Sequence, residues 1–536
     1  LDYAAGVLGT NIANFVYGTS PDGRDLVLRT NVALVPQDTN VEVDVYALRD
    51  GVPTLLSRLE DGTAAGLGIA EQITRGDESL VAAPDGRSAL LQTDKRLVAS
   101  AGGVQALYAL GADGDVRLIQ DRLTFAAAYR SMSDDGRVVA YVAGSTLRVW
   151  RDGVSTDVAE SSGADNSTAR VSADGATIWF TSRSAIDPAA PAGVASVYAY
   201  DVAGGTFTRL SGGAPGFAQT DAASLVLVSE DDSTVFFRST ERLTADAPAD
   251  ASVKLYARTG DTTRFVAPHT PAPTGLTTNM RVSADGGTVL LQTALRLDPA
   301  RDTDGDADLY RVRAGAAPEL VSAGTTGANA TGLSIDFGAM PGNGPGYGWL
   351  DTDGLNARSL SDDGQTVVFS STAALTPDAG DNDRTKVYVW RDGRLTLVSG
   401  AGRDAGAAAL IGADRSGRSA FFVTFDSLVA EDTDGGRADL YDARVGGGFP
   451  RQAPVDPCPA NACDGPPAPV VAPPATTTFS GPGDPPVAAE PTSRFTLRRS
   501  ARRLTFQLPG AGRLELRGTD RAAGGPWSST APRARR

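Results

Sequence analysis

Short runs of alternating apolar and polar residues recur along most of the chain, each punctuated by Asp-Gly or a close variant. The fullest form is Ser-x-Asp-Gly followed by an apolar run. It appears as SPDGRDLVLRT (20–30), APDGRSALLQT (83–93), SDDGRVVAYVA (133–143) and SADGATIWFTS (172–182). It continues as SEDDSTVFFRS (229–239), SADGGTVLLQT (283–293), SDDGQTVVFSS (361–371) and DRSGRSAFFVT (414–424). These are eight copies, the fifth and eighth degenerate, 39 to 78 residues apart with a mean near 56. Alternation of this length predicts half-buried strands. Asp-Gly tolerates the positive φ of a tight hairpin, so each turn joins antiparallel neighbours.

Three further segments complete each repeat. A short apolar run precedes the turn, as in NFVYGTS (14–20) and NMRVS (279–283). After the copy comes a strand centred on an aromatic, as in VYALRD (45–50), SVYAYD (196–201), DLYRVR (308–313), KVYVWRD (386–392) and DLYDAR (439–444). A last strand ends in LVS or similar, as in TLLS (54–57), ELVS (319–322) and TLVS (396–399). Four meandering strands repeated eight times predict an all-β fold, a β-propeller of eight blades built from four-stranded antiparallel sheets. Seven blades with one copy outside the ring is the alternative. The eighth copy meets proline before its last strand, and residues 1–13 are expected to supply the missing one, because a ring must protect its edges.

Composition narrows the chemistry. The 61 Gly and 32 Pro of 536 residues argue against long helices, while 41% hydrophobic residues suffice for a core. The formal net charge is −15, yet residues 491–536 carry eleven Arg against Glu515 and Asp520. The body is therefore strongly acidic, which argues against nucleic acid as a partner. The single histidine, His269, excludes multi-His metal sites and lies in a Pro-rich segment unsuited to a catalytic triad. The three lysines, Lys95, Lys254 and Lys386, each lack a preceding glycine, so no phosphate-binding P-loop exists. No apolar run is long enough for a spanning helix. No enzyme signature stands out, and the chain is expected not to be an enzyme.

The organisation predicted is a propeller over 1–450, a Pro-rich extended linker over 451–492, and a short basic β-hairpin with a structureless tail over 493–536. Cys458 and Cys463, in CPANAC within the linker, read as a small disulfide loop, with free exposed thiols as the alternative. The hairpin is expected to turn at Pro-Gly-Ala-Gly (509–512), and PWSSTAPRARR to be unstructured.

The SxDG copies followed by the aromatic strand resemble the WD40-like (PD40) repeats of bacterial TolB-type β-propellers. The resemblance spans roughly residues 14–450. The C-terminal hairpin, through PGAGRLEL, is similar to the opening of small β-sandwich modules. The resemblance implies a periplasmic or surface-located interaction platform without settling the partner. The chain is expected to be secreted, periplasmic or at the cell surface, a monomer with protein partners of the cell envelope. Capture of a glycan or peptide in the central channel is the second reading, and a hydrolase or lyase with an acidic channel site the third. A large flat partner calls for an apolar channel mouth, a small ligand for convergent polar groups.

Two sets of residues are candidates for binding. The longest interval between copies contains a Gly-rich insertion, 323–357, with nine glycines in 35 residues. Its Asp336, Phe337, Tyr347, Trp349, Asp351 and Asp353 offer aromatic and acidic anchors for a partner or ligand. The acidic loops before the aromatic strand, RDTDGDADLY (301–310) and EDTDGGRADLY (431–441), are the second set. Asp302, Asp304, Asp306 and Asp308, and likewise Asp432, Asp434 and Asp439, supply the clustered oxygens that Ca2+ prefers. The other reading is that the carboxylates cap their own backbone in Asx-turns. No other cofactor is expected.

Overall fold

The computed structural model describes residues 15–444 apart from 21–23, 68–78, 84, 103–104, 124–128, 161–168, 185, 269–279, 326, 328, 336–357, 404, 430–431 and 433–438, together with four strands between 496 and 531. The chain divides into two compact units, Leu1–Pro450 and Arg451–Arg536.

In the first unit the described residues form eight consecutive antiparallel sheets, six of four strands and two of three. Each follows chain order. Blade 1, for example, runs Phe15–Thr19, Asp25–Thr30, Asp44–Arg49, Val52–Leu55. This is an eight-bladed β-propeller, as the repeat predicts. First strands of neighbouring blades touch one another, in blades 1 and 2 and again in 3 and 4, so these strands are innermost. The fourth strand of blade 3, Val154–Glu160, is largely exposed. Blade 8 shows three strands, the last being Asp439–Arg444. Residues 1–13, expected to complete it, lie outside the described residues.

Packing follows from register. In four blades an aromatic on the second strand sits directly opposite the third-strand tyrosine: Phe180 with Tyr198, Phe237 with Tyr256, Phe369 with Tyr388, Phe422 with Tyr441. Their rings stack at centroid distances of 5.6–5.9 Å, a cross-strand arrangement that adds to simple burial.

The Asp-Gly turn serves two purposes. Gly364 has φ +67°, and a Cβ there would lie 2.5 Å from Thr288 of the preceding blade. Gly417 repeats this against Thr366, also at 2.5 Å. Only glycine permits both the turn and the close approach. In degenerate blade 5 Asp232 takes the glycine's place at φ 60°, and its carboxylate accepts the Ala173 N–H of blade 4 at 2.8 Å.

In copies 3, 4, 6, 7 and 8 the second residue of the turn links blades through its backbone. Asp134 N–H donates to Ala173 O at 2.9 Å, Ala284 N–H to Asp362 O at 3.0 Å, and Asp362 N–H to Arg415 O at 2.8 Å. Asp231 N–H to Ala284 O at 3.1 Å and the Asp232 bond complete the run from blade 3 to blade 8. Copies 1 and 2 carry Pro21 and Pro84 at this position and have no N–H to give. There a side-chain pair, Arg87 Nε to Asp25 Oδ2 at 2.8 Å, joins the blades.

In the second unit Thr496–Ser500 pairs with Arg503–Gln507, and Leu514–Asp520 with Gly525–Ala531. This corrects two expectations. The strand flanking Pro-Gly-Ala-Gly on its N-terminal side pairs backward rather than across that turn. The stretch PWSSTA belongs to a strand, Gly525–Ala531, paired antiparallel with Leu514–Asp520.

Candidate functional site

The loops between second and third strands are organised by the third-strand tyrosine, which is buried in six blades and half-buried in blade 8. In blades 2, 5 and 7 its hydroxyl donates to a loop carbonyl: Tyr108 to Lys95 O at 3.1 Å, Tyr256 to Glu241 O at 2.6 Å, Tyr388 to Ala373 O at 2.7 Å. In blades 1 and 6 it reaches an aspartate instead, Tyr46 to Asp38 and Tyr310 to Asp302, and in blade 8 Tyr441 has both kinds of partner, Asp432 Oδ2 at 2.6 Å and Asp426 O at 2.9 Å. One acidic residue of each such loop is thus explained by the tyrosine.

The residue two before the tyrosine separates the blades further. In blade 1 it is Asp44. Its Oδ1 accepts Ser57 Oγ at 2.7 Å and Gly66 N–H at 3.1 Å, and its Oδ2 accepts the Asn40 amide at 3.0 Å. Both oxygens are satisfied. In blade 6 it is Asp308, fully buried, whose Oδ1 accepts Ser322 Oγ at 2.5 Å. Asp304 stands where blade 1 has Asn40 and has no N–H to offer. Asp308 Oδ2 is consequently buried without a hydrogen-bond partner, as is Oδ1 of Asp302. One carboxylate oxygen from each of Asp302, Asp304 and Asp308 lies within 4.8 Å of the others. Burial first, then the charges of Asp302, Asp304 and Asp306, push the Asp308 carboxyl up to about 6 against the opposing Ser322 bond. Arg296 is the nearby countercharge, its Nε 3.9 Å from Asp302 Oδ1. Asp306 is exposed and gives its N–H to Asp304 Oδ1 at 2.9 Å, an Asx-turn of the kind expected.

Blades 5 and 7 place a lysine at the same position. Lys254 Nζ donates to Thr240 O at 2.8 Å, Asp250 O at 2.6 Å and Ser252 O at 2.7 Å. Lys386 Nζ donates to Thr372 O at 3.0 Å, Arg384 O at 2.8 Å and Asn382 Oδ1 at 3.0 Å. Both are buried. In blade 8 Asp439 holds this position, Asp432 serves Tyr441, and Asp434 lies outside the described residues.

A second cluster lies at the turn end of the channel. Glu230 of blade 5 pairs with Arg415 of blade 8 and, at 3.6 Å, with Arg358 of blade 7. Asp362 of blade 7 accepts Arg415 Nε at 2.8 Å and Arg358 Nη1 at 2.5 Å. Two arginines and two acids thus neutralise one another between blades that are not all adjacent. Asp134 of blade 3 lies on the same ring of turns. Burial, and then the charges of Asp85, Glu230 and Asp135, raise its pKa above the ordinary value. Sequence reading missed this set, since charge at the second turn position is visible but its partner across the ring is not.

The Gly-rich insertion departs from blade 7 in an informative place. Ser334 and Ser370 exchange both backbone hydrogen bonds at 2.9 Å, and Val368 N–H donates to Ser359 O at 2.8 Å. Ser334–Ile335 and Ser359–Leu360 are therefore two halves of one broken first strand, with residues 336–357 inserted between them. Asp336, Phe337, Tyr347, Trp349, Asp351 and Asp353 themselves lie outside the described residues, as do His269, Cys458 and Cys463. Among the described residues no helix is long and apolar enough to cross a membrane.

No protein-family model matches the chain, and no curated protein matches its sequence. Solved structures do resemble it. A TolB from Agrobacterium tumefaciens is 19% identical, covering 47% of this chain and 80% of its own, with a TM-score of 0.25. Dipeptidyl peptidase 4 from Porphyromonas gingivalis is 14% identical over 77% of this chain and 56% of its own, TM-score 0.46. An oligogalacturonate lyase solved with manganese is 12% identical over 70% of this chain and 89% of its own, TM-score 0.34. The chain spans little more than half the length of the peptidase. Likenesses this distant assign it no reaction, ligand or partner. They do correct one expectation: the chain cannot be set down as a non-enzyme, because a peptidase and a lyase stand among its structural neighbours.

Proposed function

We propose that this β-propeller is an interaction scaffold of the cell envelope that engages a protein partner through the insertion at residues 336–357. The observation that carries the reading is the break in blade 7. The described halves of that strand, at Ser334 and Ser359, pair with Ser370 and Val368 on either side of the insertion, which supports a partner contact carried by the chain between them. A loop held at both roots by backbone pairing limits the ordering cost of binding. Phe337, Tyr347 and Trp349 are the residue types that anchor such contacts. The envelope is the setting that the repeat resemblance implies.

A small ligand in the channel is the second reading, favoured by the convergence of Glu230, Arg358, Asp362 and Arg415. Each acid in that group already has two arginine partners, however, and a ligand would have to displace them.

The test is affinity capture from an envelope extract with the full chain, in parallel with Trp349→Ala and Tyr347→Ala. The scaffold reading expects a saturable protein partner whose affinity falls about 30-fold, equivalent to about 2 kcal/mol, in the Trp349 variant. Equal recovery by all three proteins removes the insertion from the interface. Binding of a small anion or sugar that Arg415→Ala abolishes, with no protein recovered, selects the channel.

A further inference from the structure

We infer that the acidic loop of blade 6 binds a divalent cation, with calcium its best match, at the place where blades 5 and 7 hold a lysine ammonium.

Counting back from the third-strand tyrosine aligns the three loops without a gap. Lys254, Asp308 and Lys386 each stand two residues before Tyr256, Tyr310 and Tyr388, and the second strands end equally far upstream. The ammonium acceptors fall on equivalent positions too. Thr240 and Thr372 correspond to Ala294, Asp250 and Asn382 to Asp304, and Ser252 and Arg384 to Asp306. In both lysine blades the loop is therefore wrapped around a positive charge by oxygens of these three positions. Blade 6 keeps the frame and replaces the charge by a carboxylate. It gathers Asp302, Asp304 and Asp308 around a point that its neighbours fill with nitrogen.

Two buried oxygens mark what is missing. Asp308 Oδ2 and Asp302 Oδ1 have no hydrogen-bond partner, though the residues are 0% and 1% exposed. In blade 1 the counterpart of the first oxygen takes the Asn40 amide. Leaving such groups unpaired is destabilising, the more so when they are charged. Arg296 does not resolve this: its Nε donates to the Asp304 carbonyl and stands 3.9 Å from Asp302 Oδ1, and it is about half exposed and one charge against three. Ammonium, amide and metal ion are three answers to the same geometric demand. The donor set in blade 6 is all hard oxygen, the carboxylates of Asp302, Asp304 and Asp308. Such a set suits Ca2+, which accepts irregular coordination, better than Mg2+, which demands an octahedron.

Calorimetric titration of the full chain with CaCl2 after EDTA dialysis, with MgCl2 in parallel, tests the site. The expected result is a saturable calcium heat of one ion per chain at this loop and a higher melting temperature in calcium than in EDTA. Asp308→Lys installs the solution of blades 5 and 7, and should fold without calcium and lose both responses. Asp304→Asn installs that of blade 1 and should weaken calcium at least ten-fold, so the site stays testable if the first variant fails to fold. No saturable heat up to millimolar CaCl2 in the unaltered chain overturns the inference. So does an undiminished calcium response in the variants, and heat from MgCl2 alone overturns the choice of ion.

Discussion

Blades 5 and 7 and the blade between them share a loop of one length, one tyrosine and one frame of oxygens, yet their centres carry opposite charge. In the outer two a lysine tail brings the cation as part of the chain, covalently and permanently. In blade 6 the centre is three aspartates, so its order depends on what the solution supplies. Repeat proteins are usually compared by what their modules keep. Here the informative position is the one where adjacent modules disagree, because the shared frame holds everything else constant.

The comparison breaks most sharply at the lysines. Replacing Lys254 by Met retains the stem but strands three carbonyls, and unfolding measurements should show a loss of about 3 kcal/mol, the same in calcium and in EDTA. A calcium-dependent loss would mean that ions reach this loop as well. Next in size is Asn40→Asp, which gives blade 1 the carboxylate pattern of blade 6. Losing the amide bond to Asp44 and setting two acids together should cost about 2 kcal/mol in EDTA, part of it recovered in calcium. The smallest effect sharpens the converse. Asp304→Asn should raise stability in EDTA by about 1 kcal/mol, by donating to the orphaned Asp308 oxygen. No gain in EDTA would mean that the amide does not reach Oδ2.

Much of the fold was legible because the repeat states it many times over. Asp-Gly located the hairpins, and the recurring tyrosine located the third strands. The break in blade 7 was not, since nothing in SIDF or RSLS says that Ser334 and Ser359 belong to one strand. Pairing with Ser370 and Val368 is a long-range fact. The candidate site was half legible. RDTDGDADLY showed its acids, but their roles depend on which oxygens are already taken: Asp302 Oδ2 by Tyr310, Asp308 Oδ1 by Ser322. Lining up K-x-Y in VKLY and TKVY with D-x-Y in ADLY would have exposed the charge reversal from sequence alone. Counting acidic residues per loop concealed it.

The hydrogen bonds between successive turns, from Asp134 to Arg415, are made largely by main-chain groups, with Asp232 the side-chain exception. These backbone links themselves place almost no demand on the side chain at the second turn position, and Asp134, Ala173, Ala284, Asp362 and Arg415 all serve there. Substitutions at this position outside the ion cluster of Glu230, Arg358, Asp362 and Arg415 can accumulate under selection for recognition while leaving the backbone links in place. Proline is the residue that position refuses wherever the link must donate. The scaffold thus keeps its evolvable surface and its structural seam at the same residues, in separate atoms.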